Sequence, residues 1–225
     1  MSADLTVVMP LHNGAALVGE AIESVLANAD GLLELLVVDD ASTDDGAQIA
    51  AGFGDPVRVI AHDRQRGPAV ARNTAIRQAR GELIGFLDAD DIWIAGSPDP
   101  RRAAFADSAV LAVGARVQPV VGDPPVPFRH PFGIQVAAIW ARPEAFALHG
   151  LFDERRTYGE DVDWMMRLRE ANAMTSSIHD VVAHYRVRPG SLMRDRRQAQ
   201  LGTLEAIRSS LRRRSGQAME AGGEP

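Results

Sequence analysis

Residues 66–91 read RGPAVARNTAIRQARGELIGFLDADD, and the order of signals inside this stretch decides the fold class. Arg66-Gly67-Pro68 is a turn that places proline at a helix start, and the pattern over 69–79 is helical. Gly81 interrupts it, and residues 83–88 form a short apolar run that ends in carboxylates. Helix, break and buried strand, in that order, form the second half of a βαβ unit.

The same alternation extends upstream. Strand-like runs fall at 6–10 (TVVMP), 34–40 (ELLVVDD) and 57–62 (VRVIAH). Between the first two, Leu17, Ala21 and Val25, with Val18, Ile22 and Leu26 beside them, make a helical stripe. The next connection, 44–51, is shorter and carries Ser42-Thr43-Asp44 as capping material. Strands alternating with helices predict right-handed crossovers and a mostly parallel sheet flanked by helices, an α/β fold. In such sheets ligands bind beyond the carboxyl ends of the strands. Polar residues gather there: Pro10-Leu11-His12-Asn13 after the first strand, Asp39-Asp40 after the second and Asp88-Ala89-Asp90-Asp91 after the fourth.

Downstream of Asp91 the pattern loosens. Residues 110–117 and 134–140 read as strands, 119–131 (PVVGDPPVPFRHP) as an irregular proline-rich loop, 160–171 as a helix and 181–187 as a strand. The arginine-rich end from 193 predicts a helix over 199–214 followed by a disordered AMEAGGEP. We expect one domain over 1–192, with a ligand-binding half to residue 91 and a second half from 92, and an appended segment over 193–225.

Composition narrows the chemistry. The chain has 225 residues, 46% of them hydrophobic, and a formal net charge of -6. All 24 basic residues are arginine, and lysine and cysteine do not occur. That excludes disulfides, thiolate nucleophiles and cysteine metal sites, and also Schiff-base chemistry and a lysine-bearing P-loop. Catalysis must then rest on carboxylates, histidines, hydroxyls, arginines or a bound metal. An acidic chain is not expected to bind nucleic acid, which selects basic faces. Neither a signal peptide nor a run of about 18 apolar residues is present, so the expectation is a cytoplasmic protein. Arg212-Arg213-Arg214 reads as a solvated helix end, with peripheral membrane contact as the minority reading.

Three constellations carry chemistry. In an extended segment Asp88 and Asp90 point the same way and can converge on one hard cation, with Asp91 at the next turn; the competing reading is a turn cap. Glu160 and Asp161, with Asp163 behind them, open a helical pattern in which Asp163 can pair with Arg167. Capping of the helix dipole accounts for all three and is the reading that spacing alone favours, unless one carboxylate stays free to take a proton. Arg66-Gly67-Pro68, followed by Arg72-Asn73, offers backbone N–H groups and a guanidinium to a phosphate.

Six segments in order, VVMPLHN, ELLVVDDASTDDG, the 66–91 stretch, GLFDE, YGEDVDWMMRLREA and HYRVRPGSL, resemble the nucleotide-diphospho-sugar glycosyltransferases of family 2. They span about residues 5–192. The resemblance implies a single-domain, Rossmann-like GT-A fold and sugar transfer with inversion from a UDP- or GDP-sugar to an acceptor hydroxyl, in cell-surface polysaccharide or glycoconjugate synthesis. It places the nucleotide against Pro10, His12, Asn13, Asp40, Arg72, Asn73, Asp88 and Ala89, with Asp40 accepting a ring N–H of the base. It places Mn2+ or Mg2+ on Asp88 and Asp90, with Asp91 adjacent. It makes Asp161 the general base and gives Glu160 a place beside the acceptor. Two positions depart from the family. His12 replaces the usual tyrosine, and Arg188 stands where many relatives carry a histidine, leaving Arg188 or His184 to meet the diphosphate. Trp93, next to the acidic triplet, reads as core or as a sugar platform. Two other readings are weighed: a non-catalytic sugar- or nucleotide-binding module on the same fold, and a dinucleotide oxidoreductase. The latter is disfavoured because Leu11-His12-Asn13-Gly14 stands where Gly-x-Gly-x-x-Gly belongs.

Overall fold

The computed structural model describes residues 4–28, 30, 32–96, 98–121, 126–127, 135–187 and 196–221. Four parallel strands form the first half of one sheet: β1 (Leu5–Leu11), β2 (Leu32–Asp39), β3 (Val57–Ala61) and β4 (Leu83–Phe86). Helices α1 (Val18–Leu26), α2 (Gly46–Ala51) and α3 (Pro68–Ile76) connect them. The second half comprises β5 (Ile92–Trp93), α4 (Pro98–Ala104), β6 (Ala112–Val121), β7 (Val126–Pro127), a 3-10 turn at Val136–Ala138 and β8 (Trp140–Ala141). It continues through α5 (Pro143–His149), α6 (Glu160–Glu170), β9 (Thr175–Arg186) and α7 (Arg196–Ala221).

The strand order is β3-β2-β1-β4-β8-β6-β9-β5, with β7 hydrogen-bonded to β6. The chain winds outward from β1 to β3 and then crosses back to β4 on the other side of β1. That reversal opens a crevice beyond the carboxyl ends of β1 and β4, where a doubly wound sheet takes its ligand. The sheet is mixed: β8 runs antiparallel to β4 and β6, while β6 and β9 are parallel.

Burial on both faces explains the continuous apolar runs of β1 and β2. Val7, Met9 and Leu11 face Val18, Ile22 and Val25 of α1, while Val8, Leu36 and Val38 face Ala71 and Ala75 of α3. Beneath α5 and α6, Phe86, Phe146, Phe152 and Trp164 form an aromatic cluster in which Phe146 stacks on Trp164 at 4.5 Å. The Trp164 indole also donates to the Gly150 carbonyl at 2.9 Å, which fixes α6 three residues beyond Asp161.

Several predicted elements change. Of the expected 134–140 strand, only Trp140 among the described residues pairs in the sheet, as part of β8; Val136–Ala138 is a 3-10 turn whose residues are buried by packing rather than by pairing. Pro119 lies within β6, and β7 pairs back onto it, so the proline-rich segment begins as a ladder. α4 and α5 carry no strong periodic signal at seven residues each. β9 begins at Thr175 because β6 offers it a partner, and α7 continues to Ala221, through the first half of the AMEAGGEP tail.

Candidate active site

The crevice is built from four loops. After β1, Asn13 takes a positive φ of 51°, and after β2 Ala41 does so at 57°. Short polar contacts lock the two turns together. The Asn13 side-chain oxygen accepts from the Thr43 N–H at 2.8 Å, the Asn13 N–H donates to Ser42 Oγ at 3.0 Å, and the Ala15 N–H donates to Asp44 at 2.9 Å. His12 is exposed on this wall, its Nδ1–H donating to the Asp40 carbonyl at 2.9 Å, and Pro10 is half-buried behind it.

Asp40, 3% exposed, is occupied within the protein. Its carboxylate accepts from His62 Nδ1 at 2.7 Å, from the Arg66 N–H at 2.9 Å and from the Gly67 N–H at 2.7 Å. The anion expected at the start of α3 is therefore the protein's own. A ligand phosphate there would compete with a fixed carboxylate, and a base N–H approaching Asp40 would have to replace one of these bonds.

Arg72 is the centre of the site. It is 3% exposed and donates through Nη2 to Asp88 at 2.6 Å and through Nη1 to Glu160 at 2.7 Å. Burial alone would weaken its charge, but Asp88 and Glu160 more than offset that and raise its pKa. Burial pushes Glu160 up to about 7, with Arg72 opposing and the neighbouring Asp161 adding to the rise. Asn73, expected on the nucleotide side, is turned the other way. Its amide donates to the Phe152 carbonyl at 2.9 Å and to Glu154 at 3.0 Å, and accepts from the Phe152 N–H at 3.1 Å. Arg72 thus faces the carboxylates while Asn73 pins the 152–154 segment.

Asp161 lies in the first turn of α6, whose N-cap Gly159 has a left-handed φ of 72°. Its two oxygens accept from the Val162 N–H at 2.7 Å and from the Val136 N–H at 3.0 Å. Burial raises its pKa, while those N–H groups and Arg72 pull the other way. Each oxygen keeps a further lone pair. The Val136 contact, which links the 3-10 turn to α6, has no local sequence signal.

The acidic triplet departs from the extended geometry expected of it. β4 ends at Phe86, and the segment turns so that the Asp91 N–H donates to the Asp88 carbonyl at 3.0 Å. Asp91 is 1% exposed and accepts from the Arg186 N–H at 3.0 Å, so it braces the turn against β9 instead of facing the crevice. Burial, with Asp90 and Asp88 beside it, pushes its carboxyl well above the usual range. Among the described residues no group of three or more His, Asp or Glu side chains is placed to hold a metal ion. A magnesium or manganese ion needs only one or two carboxylates when phosphate oxygens complete its shell. Asp88 keeps one oxygen beyond its bond to Arg72, and its side chain is 28% exposed. The donor set therefore fits a cation that arrives with a diphosphate, and does not fit an all-protein cage.

Ala89 is buried at the turn. Trp93, 2% exposed, belongs to the core: it packs on Trp140 at 5.8 Å, with the Arg101 guanidinium 4.6 Å and 4.2 Å from the two rings. His184 is half-buried on β9 opposite Ile92, and burial and Arg186 lower its pKa. Arg188 lies outside the described residues.

Residues 6–174 match the model of glycosyl transferase family 2. The chain is 31% identical over 196 residues to a pre-mycofactocin glycosyltransferase of Mycobacterium tuberculosis, covering 76% of this chain and 40% of that protein. It is 47% identical over 89 residues to the succinoglycan biosynthesis protein ExoO of Rhizobium meliloti, covering 39% and 26%. The chain thus spans well under half the length of these curated relatives. Among solved structures, a mannosyltransferase of Pyrobaculum calidifontis in complex with GDP-Man and Mn2+ superposes with a TM-score of 0.78 at 21% identity, covering 94% of this chain and 65% of that one. TarS of S. aureus in complex with UDP-GlcNAc superposes at 0.71 and 21%, covering 85% and 61%. These structural likenesses establish the GT-A fold, and the extent of the family match, over most of β1 to α6, establishes the lineage: the chain belongs to glycosyl transferase family 2.

Proposed function

We propose that this chain transfers a glycosyl group, with inversion, from a nucleotide-diphosphate sugar to an acceptor hydroxyl in the synthesis of a surface polysaccharide or glycoconjugate. The observation that carries the reading is the Arg72 bridge, which draws Asp88, in the turn after β4, and Glu160, at the start of α6, to one guanidinium. It brings Asp88 and the first turn of α6, which carries Asp161, together near the sheet's switch point.

His12, Asn13 and Pro10 wall the base and ribose end, with Asp40 setting the loop at 62–67. Asp88 and Asp90 are the residues that would hold Mn2+ or Mg2+, and such a cation would offset charge that develops on the leaving nucleoside diphosphate. Asp161 takes the acceptor proton as the acceptor oxygen attacks the anomeric carbon from the opposite side. Its two backbone N–H bonds fix the carboxylate's direction. Glu160, committed to Arg72, positions that first turn of α6. Within this reading His184 is a flanking group near the diphosphate.

A screen of UDP- and GDP-sugars for thermal stabilisation and for release of nucleoside diphosphate tests the proposal. One donor class should stabilise the protein and turn over with a hydroxyl acceptor. Stabilisation without turnover against any acceptor would favour a binding module.

A further inference from the structure

α7 lies beyond residue 174, where the family match ends, and its large apolar residues lie on its exposed side. A helix packed on a domain normally turns its apolar stripe inward. Here the inward face carries Gly202, Ala206 and Ser210, all buried, while Leu201, Leu204, Ile207 and Leu211 are 42%, 48%, 37% and 50% exposed. At 3.6 residues per turn Leu204, Ile207 and Leu211 share one outward stripe, with Leu201 one turn before.

The inward packing is specific, so the helix is not simply lying in an inverted orientation. A Cβ on Gly202 would fall 2.5 Å from the Tyr158 Cβ, and a Cβ on Gly159 would fall 2.8 Å from the Gly202 carbonyl oxygen. Arg213 reaches back to Glu170 at 2.7 Å and to Asp163 at 3.0 Å. These contacts hold the leucines outward.

Charge identifies what covers them. Over residues 197–215 the helix carries four arginines besides the inward-paired Arg213, against one carboxylate, Glu205, in a chain whose net charge is -6. Exposed Arg208 and Arg212 border the stripe on one side and Arg214 on the other. A second copy of the helix would set arginines against arginines with one carboxylate each to answer them. An anionic bilayer surface meets both features, taking the leucines into its acyl boundary and the guanidinium groups among its phosphates.

We infer that the outward face of α7 docks this protein on anionic lipid. The inward face of the docked helix packs directly on Tyr158 and Gly159, the residues that precede Glu160. Docking itself does not depend on the transferase reading.

Flotation of the full chain with vesicles tests this without a turnover assay. Binding is expected to vesicles of phosphatidylcholine containing about 30% phosphatidylglycerol, not to phosphatidylcholine alone, and to weaken as salt rises. The Leu204→Ser/Leu211→Ser variant and the Arg208→Gln/Arg212→Gln/Arg214→Gln variant should each bind at least about tenfold more weakly, with circular dichroism and melting temperature close to the parent's. No binding to the anionic vesicles would overturn the inference. So would a dimer in light scattering that Leu211→Ser converts to a monomer, since the stripe would then belong to a second copy.

Discussion

Arg72 and Glu160 meet at 2.7 Å although 88 positions separate them. One comes from α3 and the other from α6, and the second Nη of the same guanidinium holds Asp88. The bridge is buried, so its value depends on being complete: a buried ion left without its partner bears most of its desolvation cost.

Arg72→Met should therefore destabilise the fold by about 3–5 kcal/mol and lower transfer together with it. Urea unfolding gives the first quantity. Stability within about 0.5 kcal/mol of the parent would show that the carboxylates relax into water at little cost.

Asp161→Asn should remove transfer by on the order of 10²–10⁴-fold while leaving nucleotide binding near the parent value. The amide keeps the side chain's size but cannot take the acceptor proton. Unchanged turnover would remove Asp161 from the mechanism.

The Glu160 carboxyl is raised from 4.5 to about 7, which makes a signed prediction for stability. The folded state holds this proton more tightly than the unfolded chain, so its contribution is full below about pH 4.5 and is lost as pH rises through about 7. Unfolding free energy should fall across that window with a slope of at most about 1.4 kcal/mol per pH unit from this group. Glu160→Gln should flatten that part of the curve, and an identical slope in the variant would assign the titration to another group.

Calorimetric titration of UDP or GDP should show tighter binding with manganese than without, by about tenfold or more, and Asp90→Asn should abolish the difference. A nucleotide affinity indifferent to the metal in the parent would leave Asp88 and Asp90 with structural roles only.

Gly202→Ala should cost about 1–3 kcal/mol and reduce transfer, because its Cβ would meet the Tyr158 Cβ and carbonyl at 2.5 and 2.8 Å and push α7 off the turn that starts α6. Wild-type values in both assays would mean that the turn yields freely.

Much of this was legible in the residue order. The apolar runs of β1, β2 and β4 with their polar ends, the stripe of α1 and the turn before α3 are local patterns, because periodicity and turn chemistry act over a few residues. They are enough for an α/β sheet with His12, Asp40 and Asp88 gathered at its carboxyl end. The acidic turn, the helix over 160–170 and the Asp163–Arg167 pair at 3.1 Å could be read in the same way.

Partner choice could not. Asp40 takes bonds from His62, Arg66 and Gly67; Asn73 faces Phe152; Asp91 is drawn onto β9; and Val136 turns its N–H to Asp161. Each of these outcomes depends on which groups the crossovers bring within about 3 Å, and a buried donor or acceptor binds whatever partner lies there. The leucines of α7 show the same division. Their spacing marks a helix, but only its packing through Gly202, Ala206 and Arg213 determined that the apolar side faces out.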